Sequence, residues 1–494
     1  MTLTPLITAE EGFPAFERLA ASATSELLLA FRVIDPDTKL RAPELREQGL
    51  DDWSDLIAML GERGVRLRLL ISDFDPLFTS DLHRKAWASA TRFAEKTTGD
   101  VQVLCAPHGQ KAGKLWHFAM APRLFRARKR LRQEDRSRLT PVQEEAIHGK
   151  PVLRPVTLHH KFIIADRTAC VVGGLDVNER RYDTNEHDQS PEETWHDVAT
   201  QVDDPGYSEA LTGHFATCWN AAITCGAASL ANRAETWGED MPVRKRSGNL
   251  RLLQTYATPC NGAARLGPMP RASDHAEELP RLFNEAQRYI YIETQFLRHA
   301  PLADTLCELG RARPDLQLMI LLPMAPERVL FEGDHGFDAR HAHGLQVRAI
   351  EKLQKAFGDR LAVVSPAQDS RAKEGEPNLK GAGPIYVHAK VSIVDDKAGV
   401  IGSANLNGRS LLWDTEASVL YRDEEVAKGL MDRLADKWLV GAPGDPRKAQ
   451  TWRDRARENS NLDPEDRKGF LMPFPMERAR RFSRLLTPLP DDMF

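Results

Sequence analysis

Short apolar runs alternate along this chain with longer stretches in which apolar residues recur every three or four positions. In the first half, Glu26-Leu-Leu-Leu-Ala-Phe31 reads as a buried strand, and the spacing over Trp53–Arg63 reads as a helix. A strand over Val65–Ile71, a helix over about Leu82–Lys96 and a strand over Gly99–Ala106 follow. The second half repeats the order: strand Arg288–Glu293, helix Leu302–Ala312, strand Leu316–Leu322, helix about Ala339–Ala356, strand Gly358–Val364. Apolar strands separated by amphipathic helices predict a largely parallel mixed sheet covered on both faces. The expected fold class is therefore α/β, with two similar α/β/α sandwich lobes. Element order alone would be weak support for a duplication, since many α/β chains resemble themselves at this coarseness.

A motif closes each copy at the same place. The first ends in His159-His-Lys161-Phe-Ile-Ile-Ala-Asp166 and then Gly173-Gly-Leu-Asp176; the second ends in His388-Ala-Lys390-Val-Ser-Ile-Val-Asp395 and then Gly402-Ser-Ala-Asn405. On a strand, residues two apart share a face, so His and Lys point one way while His160 and Ala389 point the other. The aspartates begin turns at 166–168 and 395–397, and a second strand returns the glycine corner beside the His/Lys pair. A single H-x-K-x4-D is a weak signal, because His and Lys on a strand usually form a solvated face. Two copies, each after the same elements and each closed by glycines at the same offset, are a strong one.

The residue types suit phosphoryl chemistry. A phosphodiester is anionic, and two lysines with amide or hydroxyl donors neutralise its oxygens. One neutral imidazole can attack phosphorus and a second, protonated one can protonate the leaving oxygen. Histidine serves both tasks because its pKa of about 6.5 lies near working pH. Each copy supplies one histidine, so a complete site needs both copies face to face, packed as an internal pseudo-twofold dimer.

Composition narrows the picture further. The chain has 494 residues, 41% hydrophobic and 28% charged, which fits two or three globular units with sizeable cores. We expect lobes over 1–240 and 249–440, divided by the polar stretch 234–248, and a C-terminal tail over 441–494 wrapping the lobes irregularly. The net charge of -4 gives no global basic bias, so no nucleic-acid partner is expected. The six cysteines are scattered without a C-x-x-C pair, which predicts buried thiols rather than a zinc site. Neither a signal-peptide pattern nor an apolar run of the roughly 18 residues that a span requires is seen, so a cytoplasmic or peripheral membrane location is expected. The segment Pro122–Arg132 is basic with apolar insertions, a pattern suited either to an anionic membrane surface or to a solvated helix. Trp413, Phe296 and Tyr182 neighbour motif residues and read either as pocket lining or as core.

The duplicated motif resembles that of the phospholipase D superfamily, and the resemblance runs from about Glu26 to Val419. The flanks are similar to eukaryotic-type phospholipases D: Gly173-Gly-Leu-Asp-Val-Asn-Glu-Arg-Arg-Tyr-Asp183, Thr194-Trp-His-Asp-Val198, Tyr291-Ile-Glu-Thr-Gln-Phe296, Ile401–Ser410 and Asp414-Thr-Glu416. The resemblance implies that His159 is the nucleophile and His388 the general acid/base, with Lys161 and Lys390 binding phosphate. It further implies that Asn405, Asp176, Ser403 and Gly174 line the phosphate site, and that Asp166 and Asp395 are structural. Asp176 replaces the usual Asn, as in phospholipase-like variants. A carboxylate from each copy is expected to orient the histidine of the other, Glu416 holding His159 and Asp197 holding His388. The implied reaction is hydrolysis of phosphatidylcholine or phosphatidylethanolamine at a membrane surface to phosphatidate, with water or an alcohol as acceptor. No cofactor or metal is implied, and a site complete in one chain predicts a monomer. A cardiolipin-synthase-like transferase, a nuclease of the same superfamily and a non-enzymatic scaffold are the competing readings; the scaffold predicts decay of one motif, and both are intact.

Overall fold

The computed structural model describes residues 2–150, 152–238, 246–486 and 490–494. The first half builds one sheet. Its strands are β1 (Thr2–Ile7), β2 (Glu26–Phe31), β3 (Arg66–Ser72), β4 (Val101–Ala106), β5 (Phe162–Ala165), β6 (Ala169–Gly173), β8 (Val198–Asp203) and β9 (Ala228–Ser229), in the spatial order β1-β8-β6-β5-β2-β3-β4-β9. Between them in sequence, β7 (Trp195–His196) leaves this sheet to pair elsewhere. Only β2-β3-β4 run parallel. The remaining neighbours are antiparallel, because the motif hairpin β5–β6 and its successor β8 each turn back directly. The sheet is mixed, as expected, with its parallel part confined to β2-β3-β4. A three-residue turn, 166–168, suffices between β5 and β6, whereas parallel neighbours need a helical crossover. Strand β1 escapes the apolar pattern because Pro5 interrupts it; at the sheet edge, a missing N–H costs no ladder bond.

The second half repeats the plan in β10 (Arg246–Ser247), β11 (Leu250–Thr258), β12 (Met269–Ser273), β13 (Tyr289–Glu293), β14 (Gln317–Leu321), β15 (Leu361–Arg371), β16 (Ala382–Pro384), β18 (Val391–Val394), β19 (Ala398–Gly402) and β20 (Glu416–Tyr421). Here too the parallel part is the three-strand unit β13-β14-β15, flanked by the antiparallel hairpin β18–β19. Each central strand is buried along its whole length, which is why β2 and β13 read as continuous apolar runs rather than alternating ones. One core unites the facing sides of both sheets, including Leu28, Phe162, Tyr291 and Ile393 with the helix Pro205–Thr224. The outer faces carry separate cores, one under the helices Thr8–Ser22 and Trp53–Glu62 and one under Ala300–Ala312 and Phe337–Phe357.

The tail differs from the irregular wrap expected of it. It forms a helix, Ala449–Asn459, and then β21 (Leu471–Pro473), which adds antiparallel to β15. Its Pro and Arg content conceals this because only a few residues pair and the buried side of the helix mixes Ala449, Trp452 and Ala456 with the polar Thr451, Arg455 and Asn459. Of the segment expected to divide the lobes, residues 239–245 lie outside the described part of the chain.

Candidate active site

The motif hairpins lie at the inner edge of each parallel unit. Their aspartates fasten them there. Asp395 accepts from the backbone N–H groups of Gln287, Arg288 and Tyr289, and Asp166 accepts from those of Thr24, Ser25 and Glu26 and from two hydroxyls. Both aspartates adopt positive φ, 49° and 56°, in turns where Asp tolerates the left-handed region. They therefore face away from the histidines and clamp the start of β2 and β13.

The His/Lys pairs stand just before their strands rather than on them, since β5 begins at Phe162 and β18 at Val391. What fixes these segments is the opposite lobe. Leu158 bridges in parallel to Thr415, and the His159 N–H donates to the Thr415 carbonyl at 2.9 Å. In the mirror arrangement, β17 (Tyr386–Val387) pairs in parallel with β7, and the His388 N–H donates to the His196 carbonyl at 2.7 Å. Each bridge places a histidine beside the residue after its partner. His159 Nδ1 lies 3.0 and 3.1 Å from the two carboxylate oxygens of Glu416, and His388 Nδ1 lies 2.6 Å from Asp197 Oδ2.

The lysine amines fold back on the same segments. Lys161 Nζ donates to the His159 carbonyl at 2.7 Å and lies 4.0 Å from Asp176, and Lys390 Nζ donates to the His388 carbonyl. Asp176 also accepts from the Val33 N–H. Ser403 donates to Glu416. Asn405 donates to Gln295 while its own carbonyl oxygen, buried, has no protein partner. Gly174 is a close-approach position: a Cβ there would stand 2.0 Å from Asp197 Oδ1. All twelve residues named from the sequence thus fall in the two half-sites or in the clamps beneath them.

Burial dominates the electrostatics. Desolvation, then Lys161, Arg32 and Lys390, hold His159 well below the usual histidine range, and desolvation, then Lys390 and Arg181, do the same for His388. Desolvation also lowers Lys161, brings Lys390 down to about 7, raises Asp197, and raises Glu416 to about 8. The site therefore holds neutral imidazoles oriented by Nδ1, with Nε2 left for chemistry.

Several neighbours are not singled out from the sequence, although Glu293 and Arg181 lie in segments that resemble the family's. Glu293, fully buried, binds His196 Nε2, the Tyr291 hydroxyl and the Trp438 indole, and so braces the strand that carries Asp197. Arg32 and Arg181 border the histidines, and only comparison of the two copies in register would have singled out Arg32. His160 points away, as alternation requires, into a buried cluster: its Nδ1 lies 3.1 Å from His214, whose other nitrogen lies 3.0 Å from Gln254. Trp413 packs with Leu77, Leu124 and Leu266 as core. Tyr182 and Phe296 each lie under a guanidinium, of Arg41 and Arg298, 3.8 Å away. The cysteines are free thiols, Cys105, Cys170, Cys218 and Cys307 being buried.

Residues 279–438 match the family described as "Cardiolipin synthase, PLD-like domain". Phospholipase D1 of Saccharomyces cerevisiae is 24% identical over 362 residues, 57% of this chain and 21% of the yeast protein. The chain belongs to the phospholipase D superfamily. Another superfamily relative, phospholipase D zeta 1 of Arabidopsis thaliana, is 42% identical over 192 residues, 32% of this chain and 17% of the plant protein. The chain thus matches about a fifth of the length of these relatives. The fold is shared with phosphatidylserine synthase of Haemophilus influenzae, with a TM-score of 0.53 at 12% identity over 88% of this chain and 85% of that one.

Proposed function

We propose that this superfamily member is a phospholipase D-type enzyme that cleaves the distal phosphodiester bond of glycerophospholipids to phosphatidate and a free head group. The observation that carries this reading is the crossed pairing of His159 with Glu416 and of His388 with Asp197. A carboxylate on Nδ1–H fixes the tautomer that exposes the Nε2 lone pair and stabilises the imidazolium when it forms. In this reading, His159 Nε2 attacks phosphorus and the bond to the head-group oxygen breaks. That oxygen takes the proton from His388 Nε2. Neutral His388 then removes a proton from water, whose oxygen attacks phosphorus and breaks the bond to His159. The phosphodiester's own charge favours protonated His388 and charged lysines, against the desolvation that lowers their pKa values. Lys161, Lys390 and Asn405 hold the phosphate oxygens.

An alcohol in place of water gives phosphatidyl transfer by the same steps. The description of the matched family, a cardiolipin synthase, favours this second reading. No helix among the described residues is long and apolar enough to cross a membrane. Contact with lipid is instead proposed through the helices Lys114–Ala119 and Ala121–Leu131, where Leu115, Phe118 and Phe125 are 59%, 83% and 68% exposed among arginines and lysines.

The test is an assay of the purified chain with EDTA against mixed phospholipids, with and without added alcohol, and against DNA. Phosphatidate or transfer product from wild type, absent with His159→Ala or His388→Ala, supports the reading. DNA cleavage without lipid turnover refutes it, and loss of activity in EDTA refutes the metal-free mechanism.

A further inference from the structure

The two halves superpose in register, and this exposes one residue that breaks the symmetry. Ala30 pairs with Phe162 in the first copy as Glu293 pairs with Val391 in the second. Further on, Ile34 bridges to Val177 as Leu297 bridges to Leu406. Arg32, midway between Ala30 and Ile34, thus takes the place of Gln295, midway between Glu293 and Leu297. Gln295 is neutral and fully engaged, donating to the Tyr386 hydroxyl and accepting from Asn405. Arg32 has no comparable partners. Its Nε is buried without an acceptor, and its one ring contact is Phe74, 5.3 Å from the guanidinium carbon. Its register position, equivalent to that of Gln295 beside Asn405, sets it next to the motif residues, and its charge acts on His159, Lys161 and His388 together.

A second guanidinium borders His388. Arg181 is stacked 3.4 Å over Trp195, and the Trp195 ring packs 5.8 Å from that of His388. The Arg181 side chain is 10% exposed, its Nη1 is buried without a partner, and its nearest carboxylate, Glu327, stands 3.6 Å away. Glu327 is shared with Arg180 at 2.8 Å. One carboxylate therefore answers several guanidiniums. The other acids are committed elsewhere: Asp197 and Glu416 to the histidines, and Asp176 to Lys161 and the Val33 N–H.

We propose that Arg32 and Arg181 form a second anion-binding subsite beside the His159/His388 pair, which receives a further negative charge, a carboxylate or a second phosphate, carried by the substrate next to the scissile phosphodiester. This rests on the reading of the two histidines as the phosphodiester-cleaving centre, and it replaces the zwitterionic head groups expected from the resemblance with anionic ones. A quaternary ammonium needs an open aromatic face or a carboxylate. The Trp195 face is covered by Arg181, and the acids are paired. A guanidinium with unused, partly desolvated donors suits a planar or tetrahedral oxyanion.

Soluble deacylated phosphodiesters test this apart from any lipid turnover. The full chain carrying His159→Ala is titrated calorimetrically with glycerophosphoserine, glycerophosphoglycerophosphate, glycerophosphoglycerol and glycerophosphocholine. We expect one or both of the ligands that carry a second anionic group, the carboxylate of the serine compound or the terminal phosphate, to bind at least about tenfold tighter than the choline and glycerol compounds. The carboxylate and phosphate arms show which anion is preferred. Adding Arg32→Gln or Arg181→Gln should collapse that preference to less than about threefold, and Arg32→Lys should restore part of it. Equal affinity for all four ligands, or a preference that survives both Gln variants, overturns the subsite. A preference that holds while no phospholipid of any head group is turned over leaves the subsite standing and removes the phospholipase reading.

Discussion

His388 Nδ1 lies 2.6 Å from Asp197 Oδ2, and the backbone bond from His388 to the His196 carbonyl, 2.7 Å long, holds the two lobes in the register that makes this contact. The same device joins His159 to Glu416 through the Thr415 carbonyl. Neither half can orient its own histidine. We expect Asp197→Asn and Glu416→Gln each to lower kcat by about 10²–10⁴-fold, the range of positioned acid–base groups, with little change in far-UV circular dichroism. Unchanged kcat in either variant would refute the orienting role. Given a phosphodiester with a nitrophenol leaving group, which departs without a proton, His388→Ala quenched in alkali should retain a phosphorus label that peptide mapping finds on His159; a label on His388 in the wild type would reverse the assignment.

Gly174 tests the same contact from the other side. Any side chain there collides with Asp197, since a Cβ would stand 2.0 Å from its Oδ1. Gly174→Ala should therefore lower kcat at least about tenfold by displacing the carboxylate. Combined with Asp197→Ala, it should add almost nothing, because both changes act on one interaction. Additive losses would show that Gly174 acts independently.

The clamps under the motifs govern stability. Buried Asp395 accepts from three successive N–H groups at the start of β13. Asp395→Ala leaves those donors without an acceptor and should cost about 1–3 kcal/mol in chemical denaturation. A change of a few tenths would mean that the strand start is held elsewhere.

The exposed pair of helices over 114–131 sets a membrane prediction. Phe118 and Phe125 project beside Arg123, Arg126 and Lys129, all exposed. Each basic residue is worth about 1 kcal/mol near an anionic surface. Arg126→Glu with Lys129→Glu should weaken sedimentation with vesicles containing phosphatidylglycerol by at least about tenfold, and Phe118→Ser with Phe125→Ser should do so at high salt as well. Turnover of a monomeric short-chain substrate should stay unchanged in both. Vesicle binding that is insensitive to these changes would place the contact elsewhere.

The repeat and its motif were legible because they are local. β2 and β13 are continuous apolar runs, and His159, Lys161 and Asp166 recur at fixed offsets in 388–395. Less legible were features set by pairing across the chain. Strand β1 pairs with β8, almost two hundred residues away, and β21 pairs with β15. The sheets are mixed because the motif hairpins turn back directly, whereas β2-β3-β4 and β13-β14-β15 are joined by helical crossovers. Arg32 gave no signal in its own segment, Phe31-Arg-Val-Ile34, and gains meaning only from the position that Gln295 holds in the other copy.

The alkaline limb of the pH profile should belong to Lys390. Desolvation lowers its pKa to about 7, with Asp197 opposing that shift and Lys161 adding to it. Above that pH, the free site loses a cation that the phosphodiester needs, so kcat/KM should fall as pH rises through about 7 and recover below it. The sign follows from the shift: a lowered ammonium pKa means that the charged form is lost earlier on raising pH. kcat should fall at a higher pH than kcat/KM, because bound phosphate stabilises the ammonium. Lys390→Arg retains its charge throughout and should move the limb of kcat/KM upward by at least about one unit, even if the maximum rate drops. A limb that stays near pH 7 in that variant would assign it to another group, with Glu416, raised to about 8, the next to test through Glu416→Gln.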